Sequence, residues 1–307
     1  MTAIAPVRIK IHMRPRAAHT GTRIAALLLL LTAPWTVAAA DHHIFWEVKG
    51  AHNTVFLLGS VHMLKPADSA LPPEVLRAYD RASTLVMELD LNDVDPEQLM
   101  GSGLESATLP DDQSLSEVVG PDLYAQFLAR AKPLGLDPEV TLRLQPWFAA
   151  ILLEQMTLTQ SGFEAGAGID MQFTRRAAAD RKPIVGLETM SQQMGFFAQL
   201  SSDQQRQFLR ATLKDLDTEA RDTAAVVRAW QLGDTAELER LLRDQSAQSP
   251  QLFRTLTTDR NRRWLPQITS LLGDDHDALV IVGAMHLIGR DGIIDLLKHR
   301  GYNPIQH

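Results

Sequence analysis

The chain has 307 residues, a formal net charge of −7 and no cysteine. The missing thiols exclude disulfides, thiolate metal ligands, a cysteine nucleophile and the lipid-bearing cysteine of a lipoprotein. The acidic balance leaves no basic stripe of the kind that nucleic acid requires.

The first 40 residues read as an export signal. Arg8, Lys10, Arg14, Arg16 and Arg23 form a basic region without an acid, Ile24 to Leu31 an apolar run, and Ala38-Ala39-Ala40 a small-residue cleavage site before Asp41. The run is short of the about 20 apolar residues that a membrane span needs. No stable span is therefore expected after cleavage, and the mature protein should be periplasmic or secreted. It retains 267 residues, with 25 basic against 37 acidic side chains, enough to bury a core without cross-links.

Residues 44–50 and 54–62 are rich in β-branched and aromatic residues and flank Ala51-His52-Asn53, which predicts a hairpin. Pro72-Pro73 opens a helix, and TLVMELD (84–90) is the next strand. Helical patterns follow over 114–160, with Pro121 and Pro146 near helix starts, and over 169–182. PIVGLE (183–188) is a short strand, helices fill most of 189–272, and DALVIVGAMH (277–286) is the most strand-like run. A helix over 292–301 and a short strand over 302–306 complete the chain. Met156, Met171, Met190 and Met194 read as core filler, and Trp147, Trp230 and Trp264 as packing residues on helices. The charged segment from Lys214 to Arg243 reads as a solvated helical face.

Strands alternating with helices predict an α/β fold with a mostly parallel central sheet. LLGSVHML (57–64) and IVGAMHLI (281–288) repeat one pattern of aliphatic residues, Gly, two further residues and His. Each would end a strand that leads into a helix and another strand. The sheet is accordingly read as two related strand-GxxH-helix-strand halves, with a long helical insertion at about 100–272, in one domain of residues 41–307.

Ligands of open α/β sheets bind at the carboxyl ends of the strands. Those ends carry His62, Glu88, Glu188 and His286, two imidazoles and two carboxylates at one edge. Gly59 and Gly283, lacking Cβ, would let a backbone or a bound group come close. Glu88 sits in an apolar strand, where an unpaired charge is costly. Glu188 has a second reading, as a cap for the helix at Thr189. Asp170 reads as a helix N-cap without a chemical duty.

The two G-x-x-H motifs, ELD at 88–90, GID at 168–170, GLET with Gln192 and Gln193, DRN at 259–261 and the ending GAMHLIGRDGIIDLLKHRGY together resemble the TraB/GumN family. That family is related to the Tiki proteases and, more remotely, to erythromycin esterases and ChaN haem-binding proteins. The resemblance covers about residues 44–305. It implies a metal-dependent hydrolase, most simply a peptidase, with His62, His286 and Glu88 or Glu188 as ligands of a divalent Mn, Co or Zn ion. The other glutamate would then act as general base, and Arg260, beside Asn261, would stabilise the oxyanion. Arg260 also reads as one exposed cation among several in DRNRRW. Two alternatives stay open: a metal-free esterase-like hydrolase using His and Glu, and a non-catalytic protein that binds a peptide or haem. The expected partner is a peptide or small-molecule substrate, not nucleic acid.

Overall fold

Two apolar runs lie side by side at the centre of the molecule because each is buried on both faces. They are β2 (Thr54–Ser60), buried at every position, and β5 (Ala278–Gly283), buried at all but its last. Strands covered on both sides carry unbroken apolar runs instead of alternation. The computed structural model describes residues 42–92 and 104–307. The expected export signal lies outside the described residues. No helix among the described residues is long and apolar enough to cross a membrane.

The described residues contain a six-stranded sheet in the order β4-β3-β5-β2-β1-β6. Here β1 is Phe45–Lys49, β3 Thr84–Met87, β4 Ile184–Gly186 and β6 Ile305–Gln306. The pairs β4-β3, β3-β5 and β5-β2 are parallel, whereas β1 runs antiparallel to both β2 and β6. The expected α/β class and mostly parallel sheet are thus present, and β1 and β2 form the expected hairpin. The segment β2, helix α1 (Pro73–Arg81) and β3 passes over β5, which fills the gap between its two strands. After β5, the chain instead returns through a helix to the far edge beside β1. The G-x-x-H segments therefore share their neighbourhood but not their onward path.

Two strands stop earlier than the sequence suggests. β3 ends at Met87, so Glu88 lies just past it. β5 ends at Gly283, which starts the helical turn Ala284–Leu287, so His286 stands on a turn of helix and not on a strand. Alanine, methionine and leucine are good helix formers, and after Gly283 no ladder partner holds them extended. The four methionines expected to fill the core are each only half-buried.

Helices between β3 and β5 gather a second core of their own. It contains Leu123 and Phe127 of α2 (Pro121–Ala131), Ala149 and Leu153 of α3 (Pro146–Gln160), and Leu209 and Leu213 of a later helix, Ser202–Asp215. The remaining helices used below are α4 (Ile169–Asp180), α5 (Met190–Ala198), α6 (the later helix just named), α7 (Glu219–Gln231), α8 (Thr235–Gln248), α9 (Asp259–Leu271) and α10 (Ile293–His299). Charged side chains of α7 and α8 do face water, but Val227, Trp230, Leu238 and Leu242 bury an inner stripe. Trp230 also donates its indole N–H to the Gly59 carbonyl at 2.6 Å.

Candidate active site

Parallel pairing of β2 with β5 sets Ser60 opposite Gly283. That register delivers both G-x-x-H histidines to one edge, as the repeated pattern suggests. The site is anchored from below by Glu88. Its Oε1 accepts the Gly283 N–H at 2.8 Å and thereby ties the end of β3 to the end of β5.

Arg260, on the first turn of α9, is the guanidinium of this cluster among the described residues. It is 6 % exposed, so the reading of Arg260 as a solvated cation is overturned. Its Nη2 donates to Glu88 Oε2 and, at 2.6 Å, to Glu188 Oε1, while Nε donates to Glu188 Oε2 at 3.2 Å. Nη1 donates to the Leu256 carbonyl at 3.1 Å and lies 3.2 Å from His286 Nε2. Leu256 belongs to a π-helical turn, Arg254–Thr258, that leads into α9. One buried cation with two buried anions satisfies the rule that buried charges are paired.

Glu188 belongs to this triad and does not cap the following helix. Thr189 is the N-cap of α5 and closes a capping box with Gln192. The indole N–H of Trp264 donates to Glu188 Oε2 at 3.2 Å, and its ring lies 4.5 Å below the Arg260 guanidinium carbon. Trp264 is therefore more than packing. Its ring also meets that of His286, 4.6 Å away between centroids.

Each histidine has its Nδ1 held from behind. His286 Nδ1 is 2.6 Å from Asn261 Oδ1, and the Asn261 amide donates to the Asp291 carbonyl at 2.9 Å. An amide oxygen only accepts, so His286 carries its proton on Nδ1. Burial pushes its pKa down, to about 4, and it is neutral at pH 7. His62 Nδ1 is 2.8 Å from Asp170 Oδ2, and Asp170 Oδ1 accepts from Ser60 Oγ at 2.9 Å. Asp170 is thus not the N-cap of α4, a place taken by Gly168; its carboxylate reaches back to the end of β2. Asp170 raises the His62 pKa above the ordinary imidazole value. The His62 side chain is 65 % exposed, so solvent screens this attraction.

The two glutamates are electrostatically distinct. Burial pushes Glu88 up, but His286, Arg260, His62 and the Gly283 N–H outweigh it and hold its pKa at about 2. For Glu188 burial wins over Arg260, and its pKa is raised.

A methyl group built on Gly283 would lie 3.3 Å from Glu88 Oε1, 3.4 Å from His286 Cδ2 and 3.7 Å from His62 Nε2. The small space above Gly283 is therefore where both histidines and Glu88 converge. The space at Gly59 is of another kind, since a methyl there would meet Ile44 Cγ2 at 2.3 Å and the Ala284 backbone at 2.9 Å. Gly59→Ala should accordingly lower stability by about 1–3 kcal/mol, the usual cost of overpacking. Gly283→Ala should cost less stability than Gly59→Ala, since Glu88 Oε1 at 3.3 Å need give only slightly, and should close the space over residue 283 to any ligand. A large loss of stability at 283 would show that its space is needed for packing and is not a cradle for a ligand.

All the site residues expected from the sequence (His62, Glu88, Glu188, Arg260, Asn261 and His286) thus lie in one cluster. Gln193, quoted with GLET but given no role from the sequence, joins them: its Nε2 bridges Glu188 Oε1 at 3.2 Å and Glu88 Oε2 at 3.4 Å. It stood beside GLET with nothing in its spacing to mark it. Among the described residues, no three or more His, Asp or Glu side chains are gathered closely enough to hold a metal ion.

Comparison with known proteins agrees with the resemblance over nearly the whole described chain. The model of the TraB/PrgY/gumN family matches residues 44–306. The uncharacterized protein YbaP of Escherichia coli K12 is 25 % identical over 275 residues, covering 89 % of this chain and 99 % of YbaP. An uncharacterized protein of Treponema pallidum (strain Nichols) is 22 % identical over 276 residues, 83 % of this chain and 80 % of its own length. No solved structure matches the chain.

Proposed function

Starting from a chain that belongs to the TraB/PrgY/gumN family, we propose that it is a hydrolase of carbonyl compounds, a peptidase in the first instance, in which His62 activates water. The observation that carries this reading is the orientation of His62. Asp170 holds its Nδ1, which leaves Nε2 near the space over Gly283 with no hydrogen-bond partner among the described residues. A carboxylate that fixes one ring nitrogen and stabilises the imidazolium equips the other as a general base. Arg260 supplies positive charge beside that space, against which a developing oxyanion is stabilised. Export, given residues 1–40, would place this activity in the periplasm or outside the cell.

The residues as arranged fit a guanidinium better than a divalent ion. Both carboxylates are engaged by Arg260, and so is His286 Nε2. His62 alone offers a nitrogen that is not already bonded. No step is therefore assigned to a metal. One observation favours a second reading in which Mn, Co or Zn is held by His62, His286, Glu88 or Glu188: both histidines have Nδ1 tied to an oxygen, as metal-ligating histidines do. That reading requires Arg260 to withdraw from Glu88 and His286.

Purified protein assayed on peptide and ester substrates, with and without a chelator and alongside metal analysis, separates the two. Turnover that survives complete chelation is the expected result. Turnover lost to chelator and restored by Mn, Co or Zn would establish the second reading. Tight binding of a peptide or haem with no bond cleaved would reject both.

A further inference from the structure

Glu88, Glu188, Arg260 and His286 are each no more than 8 % exposed, whereas the His62 side chain is 65 % exposed. A substrate entering the closed cleft therefore meets His62 first, while the other four lie beneath cover. What lies over them includes α5, a nine-residue helix with no buried residue. Six of its nine residues are half-buried and none is fully buried, and elements without buried residues open at lower cost than the core. Capping boxes bound α5 on both sides, Thr189 with Gln192 at its own start and Ser201 with Gln204 at the start of α6. The helix is thus closed off as a unit by local hydrogen bonds that do not depend on the sheet.

Among the described residues, the segment Leu104–Ala107 packs against it, and three of its own side chains reach the body of the protein. Gln193 spends its amide N–H groups on both buried carboxylates. Phe196 lies against Arg260 and Arg263, with ring centroids 5.8 and 4.6 Å from the guanidinium carbons. Phe197 stacks on Trp147 at 5.3 Å and faces Phe208 at 6.2 Å. The Gln193 bonds are the ones that reach the charged cluster directly.

We propose that α5 is a movable cover over the Glu88–Arg260–Glu188 triad and that Gln193 is the positioning residue that latches it. Opening the latch uncovers Arg260 and frees the carboxylates of their fourth donor. It also turns Phe196 and Phe197 into a flanking apolar surface suited to the side chains of a peptide. The purpose given to the cover rests on the hydrolase reading, but the closure itself does not.

Hydrogen exchange of the full chain, followed by mass spectrometry on peptides spanning 190–198, tests the latch without turnover. Gln193→Leu removes both donors and should speed exchange there by about tenfold or more, the scale on which even one hydrogen bond to a charged group acts. Gln193→Glu sets a third carboxylate against two and should speed it further, while β5 and α9 keep their protection. Gln, Leu and Glu have nearly equal helix propensities, so a helix without a latch predicts no change. Exchange unaltered in both variants, or accelerated equally in β5 and α9, would overturn the proposal. If neither variant folds, the wild type still decides, because 190–198 as protected as α9 excludes a cover. Should no substrate ever be cleaved, the hydrolase reading fails and the exchange result stands.

Discussion

Arg260→Met is expected to destabilise the protein by about 3–5 kcal/mol at pH 7, the scale on which removing one partner leaves a buried charge uncompensated. Methionine replaces the volume of the stem but none of the donors, so Glu88 and Glu188 lose their shared cation within the same apolar walls. Replacing all three charges by apolar side chains should be milder than replacing Arg260 alone, because no charge is then left unpaired. The loss should also depend on pH in a definite direction. In the wild type Glu88 has its pKa depressed to about 2, so its contribution is present above the unfolded-state value and fades as pH falls toward 2. Without Arg260, the Glu188 carboxyl, whose pKa burial already raises above its ordinary value, loses the guanidinium that opposed burial and rises further. The variant then regains stability as pH falls through the raised value. Urea denaturation of both proteins at pH 7 and near pH 4.5 measures this. A difference independent of pH would show that the triad is not charged as described.

His62→Ala is expected to lower turnover by about 10²–10⁴-fold, the range a positioned general base contributes. Its cost in stability should stay near or below about 1 kcal/mol, since the lost pair is largely solvated on the histidine side. The base must be neutral, and Asp170 raises the His62 pKa. Activity should therefore climb with pH along a limb lying above the ordinary imidazole value of about 6.5. Asp170→Asn keeps the shape, removes the charge and should bring that limb down toward about 6.5 while slowing the reaction. If the limb stays in place in Asp170→Asn, or the rate survives in His62→Ala, another group is the base.

The sheet was legible because its strands announce themselves: runs such as VFLLG and ALVIVG leave little choice when buried on both sides. The repeated G-x-x-H pattern located His62 and His286, and strand ends located Glu88 and Glu188. Less legible was anything decided by a long-range contact of a polar side chain. Asp170 has the local surroundings of a helix cap, and only the approach of β2 makes it the partner of His62. Arg260 stands among other arginines in DRNRRW, and one helical face separates the buried member from the exposed ones. Strand lengths were overestimated for a related reason, since an apolar run does not record where its ladder partner ends.

The pairing of Ser60 with Gly283 also fixes when the cluster can assemble. β5 is an interior strand, between β3 and β2, yet it is made after nearly all the rest of the chain. Closing a loop of that length delays the contact that rewards it, and such non-local pairing makes for slow folding. Until β5 inserts, His286 is absent from the cleft, Glu88 lacks the Gly283 N–H, and the two sides of the sheet have no common strand. A chain whose β5 has not yet inserted therefore lacks the assembled cluster. The cluster around His62 waits for the middle of the sheet to be filled from its far end.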